Sequence, residues 1–203
     1  MPGTPLLLDY VIRTVSPLRL PALSGALAAA GPTLPGSTLK GAVRRSAVAM
    51  TALLQLPVCR ADADSQCPIC RIFGAPGGAA CVLWADATLL EESPAPGRAD
   101  ALETRRRRAV DRSLGLSSGD PAGTSVALPV GLTFQARLHG LLADDGQADM
   151  AVLTAALLRT EWMAGGLSSG FGRVAVTVNA LHLSGVRQDL EELLGALLAG
   201  EAV

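Results

Sequence analysis

Four cysteines fall between positions 59 and 81 of this 203-residue chain, in the pattern Cys59-x7-Cys67-Pro-Ile-Cys70-x10-Cys81. A Cys-x2-Cys knuckle with two further thiols in a short stretch is the donor set of a four-coordinate structural Zn²⁺. A sphere closed by four sulfurs leaves no position for water, so such an ion holds a loop in place and does no chemistry of its own. Pro68 stiffens the knuckle. The bland alternative is four thiols that are free or paired as disulfides; in a reducing compartment metal is the stronger expectation.

A second stretch has the residue types for holding an anion. Gly165-Gly166-Leu167-Ser168-Ser169-Gly170-Phe171-Gly172-Arg173 carries four glycines and two serines in nine residues and ends on a guanidinium. Glycines let the backbone reach positive φ and approach a ligand closely, and unpaired N–H groups of such a turn form an anion nest. Without a ligand the same stretch is a plain connection between a helix and a strand. Two basic groups accompany it. Ser37, Lys40, Arg44 and Arg45 lie at or after one helix start, where phosphate is favoured. Arg105 to Arg108 are consecutive, with Arg112 close behind. Arginine suits bidentate phosphate contacts and stacking on bases. The bland reading of both groups is a solvated face.

These residues need elements to position them. Residues 6–15 are rich in large and β-branched apolar residues and end at Ser16-Pro17, a first strand. Pro35-Gly36 leads into residues 38–54, a helix with Ser37 or Thr38 as its cap and Leu39, Val43 and Ala47 facing inward. Residues 82–88 make a short second strand, and residues 125–139 a third, with residues 140–147 as its turn. Residues 151–162 form a second helix, the Gly-rich loop follows, and residues 173–183 form a fourth strand. Residues 188–198, with Leu190, Leu194 and Leu197 at helical spacing, close the series with an amphipathic helix. The order β-α-β-β-α-β predicts an α+β, ferredoxin-like core. It is read as one domain, residues 1–203. It carries a cysteine insertion at about 56–82, a Ser/Gly/Pro-rich hairpin-like excursion at about 113–130 and a C-terminal helix in 187–203.

With 49% hydrophobic and 17% charged residues the chain is globular, and its net charge of −1 does not announce a nucleic-acid binder. Charge placement says more. The basic groups above contrast with acids at Asp144, Asp145, Asp149, Glu191 and Glu192, so one face can be basic while the whole is neutral. Asp9 interrupts the apolar N-terminal run, and no stretch nears the roughly 20 apolar residues of a membrane span, which predicts a cytoplasmic protein with no membrane partner.

Several segments, taken in order, resemble the RAMP superfamily: Pro35-Gly-Ser-Thr-Leu-Lys-Gly41, Cys67-Pro-Ile-Cys-Arg-Ile-Phe-Gly74 followed by Trp84-Ala-Asp86, Arg108-Ala-Val-Asp-Arg112, and the loop at 165–173. More closely, they are similar to the repeated backbone subunit of type III CRISPR effector complexes, which coats the guide RNA. The resemblance implies a modified RNA-recognition-motif-like fold whose Gly-rich loop and first-helix cations hold the guide backbone. It further implies a thumb in the 113–130 region that displaces nucleotides of the guide–target duplex, a structural zinc insertion, and partners comprising CRISPR guide RNA, complementary target RNA and other RAMP subunits. Relatives that cut target RNA carry an aspartate between the first strand and first helix. Residues 18–39 contain no Asp, Glu or His, so binding and presentation of RNA are the expected role, with no catalytic residue assigned. Two alternatives stand beside it. One is a RAMP-type endoribonuclease acting on target or guide precursor, although His139 and His182 both sit inside strand patterns. The other is a zinc-stabilised ferredoxin-like domain that binds proteins.

Overall fold

A computed structural model describes residues 3–19, 33–53, 67–75, 78–90, 103–111, 116–143, 146–165 and 169–199. Its axis is β1 (Thr4–Thr14), in which Leu6, Leu8, Tyr10 and Ile12 alternate into the core. The strand is flanked on one side by β7 (Thr133–Leu142) and on the other by β8 (Val174–Leu183), both antiparallel to it. Beyond β7 lie β3 (Val82–Trp84) and β4 (Ala87–Leu89), then β2 (Thr33–Leu34); beyond β8 lies β9 (Val186–Arg187). The fourth, first, third and second strands of the expected core therefore stand side by side, an antiparallel sheet compatible with the ferredoxin-like arrangement.

Helices cover one face. Helix α1 (Gly36–Leu53) buries Leu39, Val43 and Ala47 at four-residue spacing, as its sequence predicts. Helix α3 (Gln147–Leu158) is buried nearly all round, because α1, α2 (Pro68–Phe73), α4 (Leu190–Ala199) and β8 all pack against it. Asp189 caps α4, its Oδ1 accepting from the amides of Glu191 and Glu192 at 2.9 and 3.0 Å. Leu193 and Leu197 then face the core.

The alternation of β8 breaks once. Val174, Val176 and Val178 oppose Thr14, Ile12 and Tyr10, but the pairing then skips Asn179, so that Ala180 faces Asp9 and Leu181 faces Leu8. This bulge takes up Asn179 and brings Leu181 and Leu183 to the core side.

Several boundaries differ from the sequence expectation. The third strand begins at Thr133, not 125, and continues through Leu142 where a turn was expected. Gly140 permits this, since a Cβ there would sit 2.1 Å from the carbonyl oxygen of Cys81, the residue before the neighbouring strand β3. Residues 125–127 belong instead to β6 (Leu116–Ala127), which pairs with β5 (Glu103–Asp111) in a separate two-stranded sheet. The excursion thus starts ten residues before 113 and includes the arginine run, because the run supplies the partner strand. The second helix spans 147–158, not 151–162: Gly146, at φ 74°, starts it early. The second strand is split at Ala85-Asp86 into β3 and β4, where the chain meets the start of helix α1: Asp86 Oδ1 accepts the Gly36 N–H at 2.7 Å. Helix α1 accordingly begins at Gly36, with Pro35 O receiving the Thr38 and Leu39 amides, so Ser37 and Thr38 lie inside the first turn and do not cap it. Asp149, expected among surface acids, is buried.

Candidate nucleic-acid interface

Helix α3 stops at Leu158, and its end is tied to α1: Thr160 Oγ1 lies 2.7 Å from the Ala156 carbonyl and 3.0 Å from Ser46 Oγ. The next residues close the base of the Gly-rich loop. Trp162 bridges Arg173, the Met163 amide donates to Gly172 O at 2.8 Å, and the Val174 amide to Glu161 O at 2.8 Å. Met163 and Phe171 are buried beneath the loop as apolar anchors. Arg45 reaches across from α1, its Nη2 donating to the Trp162 carbonyl at 2.6 Å. With Arg159, Glu161 and Ala49 these residues line a cleft of about 240 Å³ beside the loop base.

The outer side of the loop rests on the segment that follows β1. The Gly172 amide donates to Pro17 O at 2.9 Å, the Arg173 amide to Ser16 Oγ at 2.8 Å, and the Gly165 amide to Arg19 O at 3.4 Å. Leu18 exchanges two backbone hydrogen bonds with Leu128, the point where the β5–β6 hairpin rejoins the body. Residues 16–19 therefore join the Gly-rich loop to the root of the hairpin. Sequence reasoning missed this junction, though Arg19 beside Ser16-Pro17 at a strand end is a cation next to a turn signal.

These bonds narrow the anion nest. The amides of Gly165 and Gly172 were expected to be open for a ligand, yet both are spent on the protein's own carbonyls. Ser169 and Gly170, exposed and with Gly170 at φ 78°, remain at the loop tip; Gly166, Leu167 and Ser168 lie outside the described residues. Arg173 is exposed. The structure thus brings together Arg45, Arg173, Arg19 and the loop. Lys40 and Arg44 lie one turn apart on α1, half-buried and without an ion pair among the described residues. Ser37 is exposed in the first turn of that helix. Arg108 is on β5, paired with Pro121, and Arg112 lies outside the described residues.

The cysteine stretch is a different construction. Cys67 immediately precedes α2, Pro68 is its first residue, and Cys70 follows one turn on. Cys81 is brought alongside by its amide, which donates to Arg71 O at 3.2 Å. Arg71 also fastens α2 to α3: Nη2 and Nε donate to Oδ1 and Oδ2 of buried Asp149 at 2.6 and 3.0 Å. Phe73 stacks on Trp84 at 5.9 Å between ring centroids. Burial, and then the charge of Asp149, raise the Cys81 thiol above its ordinary pKa. Among the described residues no group of three His, Cys, Asp or Glu side chains is close enough to hold a metal ion; Cys59, the fourth expected ligand, lies outside them.

The family model of the RAMP superfamily matches residues 12–175, about four fifths of the chain. The chain belongs to the RAMP superfamily. The match encloses α1, the cysteine stretch, the β5–β6 hairpin and the Gly-rich loop in one span. RAMP membership supports a CRISPR-associated, RNA-binding role in general. No curated protein matches the chain. No helix among the described residues is long and apolar enough to cross a membrane.

Proposed function

We propose that this RAMP protein is a backbone subunit of a type III CRISPR effector complex in the cytoplasm, holding guide RNA and presenting it to complementary target RNA beside neighbouring RAMP subunits. The observation that carries the reading is the loop at 163–173. Its described parts, residues 163–165 and 169–173, are tied by hydrogen bonds to residues 16–19 and by Arg45, with Arg173, Ser169 and Gly170 exposed to solvent. Backbone held in place before its ligand arrives loses little conformational freedom on binding, and its recognition of phosphate is indifferent to sequence. Ser37, Lys40, Arg44, Arg45, Arg173 and the loop residues Gly165, Gly166, Ser168, Ser169, Gly170 and Gly172 hold the guide backbone in this reading. Arg108 and Arg112 serve the hairpin, which acts as the thumb.

Cys59, Cys67, Cys70 and Cys81 hold one structural Zn²⁺ in the same reading. The support for it is the spacing of the four cysteines in the sequence, since Cys67, Cys70 and Cys81 as placed here are not close enough together to hold an ion. Bound there, the ion would cross-link a polar segment and supply no reaction step. Purifying the protein from cells that carry its CRISPR array and sequencing the bound RNA tests the function. Enrichment of repeat–spacer transcripts is expected, and RNA of random origin, or none, overturns it.

A further inference from the structure

The face of the sheet opposite the helices is uncovered by any described helix, and its register collects both histidines of the chain in one row. Leu83 of β3 pairs with His139 of β7, His139 with Leu7 of β1, Leu7 with His182 of β8, and His182 with Arg187 of β9. Paired residues of an antiparallel sheet project to the same side, so Leu83, His139, Leu7, His182 and Arg187 form a strip across five strands. The two imidazoles stand two strand spacings apart, about 10 Å, with Leu7 between them. His182 reaches this face only because of the Asn179 bulge. Without the extra residue the strand would keep Val174's parity, and position 182 would point toward the helices. The fold itself makes no use of either ring that explains this placement: His139 is exposed, and His182 Nδ1 has no hydrogen-bond partner among the described residues.

The charge on this face is lopsided. Its one carboxylate in the paired rows, Asp9, is taken by Arg137 at 2.6 Å, while exposed Arg13 and Arg187 have no ion pair among the described residues. The face is also continuous with the loop. Arg13 pairs with Ala175, and two residues further on the Val15 amide donates to the carbonyl of Arg173. Flat rings and an apolar floor at one end, with unneutralised guanidiniums along the way, suit bases that stack while their backbone is held electrostatically.

We infer that the open sheet face is a second single-stranded RNA site, on which His139 and His182 stack bases of a strand leaving the Gly-rich loop past Arg13. The inference rests on the RNA-binding reading above but assigns residues outside the loop and α1. Binding of a fluorescent oligouridylate by the full chain tests it. Replacing both histidines (H139A with H182A) should weaken binding by at least about fivefold while leaving the salt slope unchanged, since no fixed cation is removed. The H139F with H182F pair should restore it, because stacking and not hydrogen bonding is the interaction. An alanine pair that binds like the parent overturns the inference, as does one that alters the size of the protein in solution but not its RNA affinity, which marks a protein-docking face. Should the alanine pair fail to fold, cross-linking of a 4-thiouridine oligonucleotide to the unaltered protein decides. Adducts on the peptides bearing His139 or His182 are expected, and adducts confined to α1 and residues 163–173 overturn it. If R45A with R173A also leaves affinity untouched and no adduct forms anywhere, the RNA-binding reading itself has failed.

Discussion

The Gly-rich loop and the cysteine stretch are both short, irregular connections rich in small residues, yet they are held by opposite means. The loop is stitched at its base and along one side by backbone hydrogen bonds to Pro17, Arg19 and Glu161, each modest on its own. The cysteine stretch is docked by the buried apolar side chains of Pro68, Ile69, Ile72 and Phe73 together with one ion pair to α3, half-buried Arg71 with buried Asp149. Many weak ties make a conformation that tolerates the loss of one. A single buried pair makes an attachment whose removal exposes the whole desolvation cost.

The largest effect should therefore come from Arg71→Ala. It leaves the Asp149 carboxylate buried without its bidentate partner, at about 3 kcal/mol, a figure at the low end for a buried pair because Arg71 keeps 34% of its side-chain surface in water. Denaturant unfolding measures it. A loss below about 1 kcal/mol would show that the contrast with the loop is false. Second is the proposed metal: elemental analysis of protein purified without chelator should find one zinc per chain. Cys67→Ser should then lower the melting temperature by several degrees while RNA affinity per folded molecule is kept. Protein without zinc ends that proposal.

Changes in the loop should cost function before stability. Arg45→Ala with Arg173→Ala should lower the slope of log affinity against log salt by about 1.4, two phosphate contacts on a single strand, and Lys40→Ala with Arg44→Ala should act in the same direction. An unchanged slope in both pairs would place the guide elsewhere. Smaller still is Gly170→Ala, at φ 78° and with open space around the added methyl, which should cost about 1 kcal/mol of backbone strain confined to the loop tip. The smallest expected signal is on cleavage. Guide-loaded protein given complementary RNA and Mg²⁺ should bind without cutting, and cutting that vanishes in Asp111→Ala or Asp120→Ala would name a catalytic carboxylate.

What the sequence determined by itself is what nearest neighbours along the chain decide. Alternation in β1 and the Leu39, Val43, Ala47 spacing of α1 follow from local periodicity and matched the structure to within a few residues. The order of the core strands and helices was legible too, although the third strand begins eight residues later than expected, at Thr133 and not 125. Read from sequence, residues 173–183 are one regular strand, and only the pairing with β1 shows the bulge at Asn179 that turns His182 outward. What the tertiary structure decided are contacts between groups far apart in sequence. Arg45 meets Trp162, Arg71 meets Asp149, Asp86 meets Gly36 and Ser16 meets Arg173. No periodicity encodes them, because a polar side chain is as content with water as with a distant carbonyl until burial removes the water and leaves the protein as the available partner. The same step turned Asp149 from a surface acid into the anchor of the cysteine stretch. It also closed two of the loop's four glycine amides, which the sequence alone had left open to a ligand.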